Sequence, residues 1–295
     1  MRLYLSSLLA AAAAQSIVKE ARVPTKKQFL LDKYFLGRDI MASLDVTDAF
    51  SGLVREGDAG FEECANDNSV EWLNQVTHLP PADIDYIISL VPGNISWWIE
   101  FGSFHGGSAI RTAEALRRNG QTDATLSCVD TFLGDTFMYW DFLPCSKKVV
   151  MGEDGTQKIL KQFVSKVRDA GYDNEILAFP ATSIVAMRTF QQGLQKWPEL
   201  GRPEVIYLDS AHLKGEVLLE MEMAWKLLPK GGILLGDDWD FVEVRHDVLQ
   251  FATMYERQLD HDTLVNHPPG FRVAQVRNGA FVSYANQQWL MNKFI

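Results

Sequence analysis

Residues 205 to 240, V-I-Y-L-D-S-A-H-L-K-G-E-V-L-L-E-M-E-M-A-W-K-L-L-P-K-G-G-I-L-L-G-D-D-W-D, contain two short apolar runs that each stop abruptly at acid. Val205 to Leu208 runs into Asp209, and Ile233 to Leu235 runs through Gly236 into Asp237 and Asp238, with a helical stretch between. A strand, helix, strand unit of this kind predicts two parallel strands joined by a right-handed crossover. Neighbouring strands lie about 5 Å apart, so the three carboxylates can reach one cation. His212 follows Asp209 by three positions, at the strand-to-helix turn, where an imidazole can face the same cleft. Each acid alone would equally suit a polar turn, and the histidine a surface turn. Their joint placement at two strand ends suits a metal site with a base beside it.

The same rhythm extends on both sides. Strands are expected near 95 to 101, 125 to 130, 174 to 179, 203 to 209 and 231 to 237, separated by helical stretches, which is the pattern of a doubly wound, mostly parallel α/β sheet. The later runs F-R-V-A-Q-V and A-F-V-S-Y-A flank Asn278-Gly279, a strong hairpin signal, so an antiparallel edge is expected. Residues 20 to 92 read as helical, broken at Asp67-Asn68-Ser69 and Pro80-Pro81, with Ser69 as a candidate cap for V-E-W-L-N-Q-V. The expected organisation is a helical N-terminal cap over residues 19 to 92 and a catalytic domain over 93 to 295.

The chain has 295 residues, 47% apolar and 22% charged, enough for a sizeable core. A net charge of −10 argues against nucleic acid as the main partner, since that contact depends on clustered Lys and Arg. Cys64, Cys128 and Cys145 are widely spaced, without C-x-x-C, and read as ordinary thiols. The first fourteen residues join one early cation, a short apolar core and a run of alanines, with no acid before Glu20. Residues 1 to 18 therefore read as a targeting segment or as an alanine-rich amphipathic helix. The first reading places the protein in a secretory or organellar route and the second leaves it cytoplasmic. No stretch reads as a membrane span.

Glu100 ends the first expected strand and opens E-F-G-S-F-H-G-G-S. Gly102, Gly106 and Gly107 allow close approach of backbone to a ligand at a helix N-terminus. The spacing is not G-x-G-x-x-G, which counts against a nicotinamide-dependent oxidoreductase. Asp130 ends the second strand, where an acid can accept hydrogen bonds from both hydroxyls of a ribose. The long loop after it carries Phe132, Phe137, Tyr139, Trp140 and Phe142, as a group a candidate substrate wall.

E-F-G-S-F-H-G-G-S, D-T-F-L-G-D from Asp130 to Asp135, and L-D-S-A-H followed by L-L-P-K-G-G-I-L-L-G-D-D-W resemble the motifs of class I S-adenosylmethionine-dependent methyltransferases. The resemblance is nearest to the metal-dependent macrolide sugar O-methyltransferase branch and covers about residues 93 to 255. It implies a seven-stranded sheet and S-adenosylmethionine as cofactor, held by Glu100 and by the Gly102, Ser103, Gly107 and Ser108 turn, with ribose at Asp130 and adenine near Thr182 and Ser183. It also implies Mg2+ or another divalent cation on Asp209, Asp237 and Asp238, His212 as catalytic base, and a small-molecule hydroxyl as methyl acceptor. A catalytically inactive cofactor-binding or scaffold protein of the same fold is the alternative.

Overall fold

The structure, a computed structural model, describes residues 25–49, 79–134, 156–260, 272–275, 281–285 and 288–293. Residues 1 to 18, the helix expected after Ser69, the aromatics Phe137, Tyr139, Trp140 and Phe142, and the Asn278-Gly279 turn lie outside these.

Five strands run parallel: β1 (Trp97–Phe101), β2 (Thr125–Asp130), β3 (Ile176–Pro180), β4 (Val205–Leu208) and β5 (Ile233–Gly236). Three more, β6 (Arg272–Gln275), β7 (Phe281–Ala285) and β8 (Gln288–Asn292), complete the sheet in antiparallel sense. The order is β3-β2-β1-β4-β5-β8-β7-β6. The sheet thus has eight strands, one more than the seven that the resemblance implied. The expected hairpin forms as β6 and β7, and Q-W-L-M-N, which carries no alternation to mark it, adds the strand that joins this hairpin to β5.

Helices between the strands are α4 (Gly107–Arg118), α5 (Ile159–Asp169), α6 (Ser183–Lys196), α7 (Glu216–Leu227) and α8 (Val242–Met254); before them come α1 (Lys26–Tyr34), α2 (Ile40–Ser43) and α3 (Pro81–Leu90). Their cover explains why the parallel strands are apolar without alternation: β1, W-W-I-E-F, is buried at every position. Trp97 donates its indole N–H to Ser127 Oγ at 2.9 Å, so even this core indole is satisfied.

The early helices share that core. Leu30, Leu31, Met41, Ile84 and Ile87 are buried in one cluster with the sheet. Tyr34 makes edge-on contacts with Phe179, Phe190 and Trp197, and Gly193 leaves the room it needs: a Cβ there would lie 1.8 Å from the Tyr34 hydroxyl. Among the described residues no helix is long and apolar enough to cross a membrane.

Candidate active site

In a parallel sheet the chain leaves every strand at the same edge, and ligands bind where neighbouring crossovers diverge. Here that edge carries Glu100, Asp130, Asp209 and the Asp237-Asp238 pair.

Glu100 is fully buried on β1, and Ser108 Oγ, from the first turn of α4, donates to its Oε1 at 2.8 Å. Oε2 is buried with no hydrogen-bond partner among the described residues. Burial pushes this carboxyl up to about 7, with the charge of Asp130 adding to the rise and the Ser108 and Ser103 hydroxyls opposing it. A buried carboxyl with one oxygen unpartnered, facing a glycine turn, is suited to receiving a ligand's ammonium group. Gly102 holds φ +87°, and a Cβ there would meet the Asp209 carbonyl oxygen at 1.8 Å. The β1 and β4 exit loops therefore touch at a point where only glycine fits. Gly107 and Ser108 open α4, leaving their N–H groups without intrahelical acceptors, a setting that favours an anionic group such as a carboxylate.

Asp130 accepts from the backbone N–H of Phe104 at 2.8 Å and from that of Phe132 at 2.6 Å, one on each oxygen. Both donors have positive φ, 41° and 54°. Leu36 and Asp238 are the other non-glycine residues with positive φ among the described ones, so three of the four lie at the exits of β1, β2 and β5. Such conformations cost about 1 to 3 kcal/mol each and gather at functional sites. Phe132 differs from its expected place in a substrate wall: its ring is buried 5.2 Å from that of Phe163, so it packs the loop onto the body.

On β4 and β5 the structure brings together Asp209, His212 and Asp238, whose candidate ligand atoms lie within 4.8 Å of one another. His212 Nε2 is 2.8 Å from Asp238 Oδ2. Burial, followed by the charges of Asp237 and Asp238, drives the Asp209 carboxyl well above the usual carboxylate range, while His212 opposes the shift. Carboxylates crowded in this way relieve their repulsion by keeping a proton or by sharing a cation.

Asp237 is placed differently from the other two acids. Its Oδ1 accepts from the Asp238 N–H at 2.8 Å and from Gln288 Nε2 at 3.1 Å, and its carbonyl accepts from Trp289 Nε1 at 3.0 Å. Its Oδ2 lies 3.4 Å from the Tyr207 hydroxyl, which is also 3.3 Å from Asp209 Oδ2. Burial and the surrounding carboxylates raise the Tyr207 phenol well above its usual range, which keeps it a proton donor.

Thr182 and Ser183, expected near adenine, stand at the β3 exit and the start of α6 and bond to the protein. Thr182 caps α6 by accepting from the Val185 N–H, and Ser183 donates to Glu220. Glu220, buried on α7, also receives Ser210 Oγ at 3.0 and 2.9 Å, tying the β3 and β4 exits together. Asp247, 1% exposed on α8, accepts from the N–H groups of Gly215 and Leu218 and so caps α7 from outside. Tyr207, Glu220, Asp247 and Gln288 escaped the sequence reading. Only Tyr207 carried a signal, a polar tip two positions before an acid within an apolar strand. A crevice of about 340 Å³, lined by Lys230, Asp260 and Asn292, lies at the other end of the strands and contains none of these residues.

Residues 99–239 match the family described as a methyltransferase domain. That span runs from β1 to just beyond β5 and contains the glycine turn, Asp130 and the acidic cluster. These residues form a methyltransferase domain, laid on the sheet described above. No curated protein matches the sequence significantly. Similar solved structures include the O-methyltransferase TomG from Streptomyces achromogenes, involved in tomaymycin synthesis and bound to S-adenosylmethionine, at 14% identity and TM-score 0.46, covering 83% of this chain and 94% of that one. An O-methyltransferase from Bacillus cereus in complex with S-adenosylhomocysteine matches at 13% identity and TM-score 0.42, with coverage of 85% and 97%. The O-methyltransferase NovP matches at 13% and 0.45, with coverage of 73% and 79%.

Proposed function

We propose that the chain is a class I S-adenosylmethionine-dependent methyltransferase that acts on a hydroxyl of a small molecule of the sugar, polyketide or phenol type, with a divalent cation assisting. The observation that carries this reading is the gathering of Asp209, His212 and Asp238 within 4.8 Å, on strand exits that touch the Gly102 turn. Two carboxylates and an imidazole fit a borderline cation such as Mn2+ as well as Mg2+. When bound, the cation would acidify a neighbouring hydroxyl, and S-adenosylmethionine would supply the methyl group on its sulfonium.

The chain's own residues then have distinct tasks. Glu100 Oε2 receives the cofactor's ammonium, and Asp130, at the end of the neighbouring strand, receives ribose hydroxyls. His212 takes the acceptor's proton at its imidazole, and Asp238, 2.8 Å from Nε2, orients the ring and stabilises its charged form. Phe241, whose ring centroid is 5.9 Å from that of His212, is exposed, as are the next residue along, Val242, and the residue after His212, Leu213, which favours an acceptor with an apolar body. Holding acceptor and methyl donor at adjoining strand exits supplies much of the remaining acceleration.

A second reading follows from the same cluster: His212, not Asp237, is the third ligand. His212→Ala separates the two. As base, its loss lowers turnover about 100-fold or more and leaves Mn2+ affinity intact; as ligand, its loss weakens Mn2+ binding as well. The whole reading is tested by calorimetry with S-adenosylhomocysteine, then by an acceptor screen with magnesium and with chelator. Cofactor binding with full turnover in chelator would remove the cation from the mechanism. Cofactor binding with no acceptor methylated would favour the inactive scaffold.

A further inference from the structure

Tyr207 stands at the floor of the acidic cluster without belonging to it. Alternate residues of a strand share a face, so Tyr207 and Asp209 project from β4 on the same side. Across the sheet Tyr207 is paired with Glu100 on β1 and with Leu235 on β5, and Asp237 follows Leu235 by two positions. The phenol therefore rises between the two acids, its oxygen 3.3 Å from Asp209 Oδ2 and 3.4 Å from Asp237 Oδ2, with the residue fully buried.

The two acids depend on it unequally. Asp237 has the Asp238 N–H and the Gln288 amide besides. For the Asp209 carboxylate, Tyr207 is the one hydrogen-bond donor among the described residues. Without it two buried carboxylate oxygens would face each other with no proton between them, and the Asp209 side chain would be free to rotate away.

We propose that Tyr207 is a positioning residue of the cation site, its hydroxyl holding the Asp209 carboxylate in the setting where it meets His212 and Asp238. This rests on the cation reading above. Groups that orient a metal's ligands from behind typically change affinity by about 10- to 100-fold when removed.

The test is a Mn2+ titration of the full chain, following the free-ion signal by electron paramagnetic resonance, on wild type, Asp209→Asn and Tyr207→Phe. Tyr207→Phe should bind Mn2+ about 10-fold more weakly while its calorimetric affinity for S-adenosylhomocysteine stays unchanged. Replacement of Tyr207 by 4-aminophenylalanine, which restores an N–H donor, should recover the affinity and serves also if the Phe variant does not fold. A Tyr207→Phe protein with wild-type Mn2+ affinity, or an aminophenylalanine protein as weak as one lacking Asp209, overturns the assignment and leaves the cation reading standing. A wild type that takes up no Mn2+ overturns the cation reading, and this inference with it.

Discussion

Glu100 is the residue whose charge is most sharply conditioned by its surroundings. Its carboxyl ordinarily titrates at 4.5 and in the fold at about 7, so between these values the folded protein binds more protons than the unfolded chain. Stability from this group therefore falls as pH rises through that window, and above it the cofactor-free protein carries the full cost, about 3 kcal/mol. Glu100→Gln should flatten the decline between pH 5 and 8 in urea unfolding, and a slope identical to wild type would contradict the buried, ligand-awaiting state described for it. The same substitution should weaken S-adenosylmethionine binding about 10-fold or more, since a charge-assisted contact is lost. Gly102 is constrained by space instead. Gly102→Ala puts a Cβ 1.8 Å from the Asp209 carbonyl oxygen at φ +87°, and should lower stability by about 2 kcal/mol or more in the same assay.

At the level of elements, α7 begins where α8 tells it to. Asp247 supplies the acceptor that Gly215, the residue before the helix and without a side chain, cannot. Asp247→Ala should cost about 1 to 2 kcal/mol by thermal or chemical unfolding, and should reduce turnover beyond what that instability explains, because the loop from Asp209 to Gly215 carries His212. The five parallel strands were legible in the sequence to within about two residues, because apolar runs ending at acid or glycine leave few alternatives. The acid ends and the glycine turn were legible for the same reason. What was not legible depends on partners distant in the chain. Nothing near Asp237 foretells Gln288 and Trp289, and nothing near Asp209 foretells the Tyr207 hydroxyl shared between it and Asp237. Thr182 and Ser183 were placed near adenine by resemblance; the fold adds a helix cap at the first and a partner for Glu220 at the second, which no local pattern announces.

For the whole molecule, charge is the property that links folding to the site. The chain carries a net −10, and Asp209, Asp237 and Asp238 are concentrated at one edge of its sheet. A divalent cation that binds there should raise the melting temperature in a saturable way, reaching about 2.7 kcal/mol of added stability at a hundred times its dissociation constant. Sodium chloride at matched ionic strength should not reproduce the effect, and if it does, the gain is screening and not a site. The sheet's connectivity also bears on how such a site is made. Asp237 is held by Gln288, 51 positions further along, through a strand that joins β5 only after the β6–β7 hairpin has been threaded. On the ribosome, where earlier segments emerge and fold first, the parallel half can assemble with its acidic rim still unbraced. During that interval the nascent chain would have its glycine turn formed while the Asp237 carboxylate still waits for the amide that will hold it, so the two halves of the site would mature one after the other.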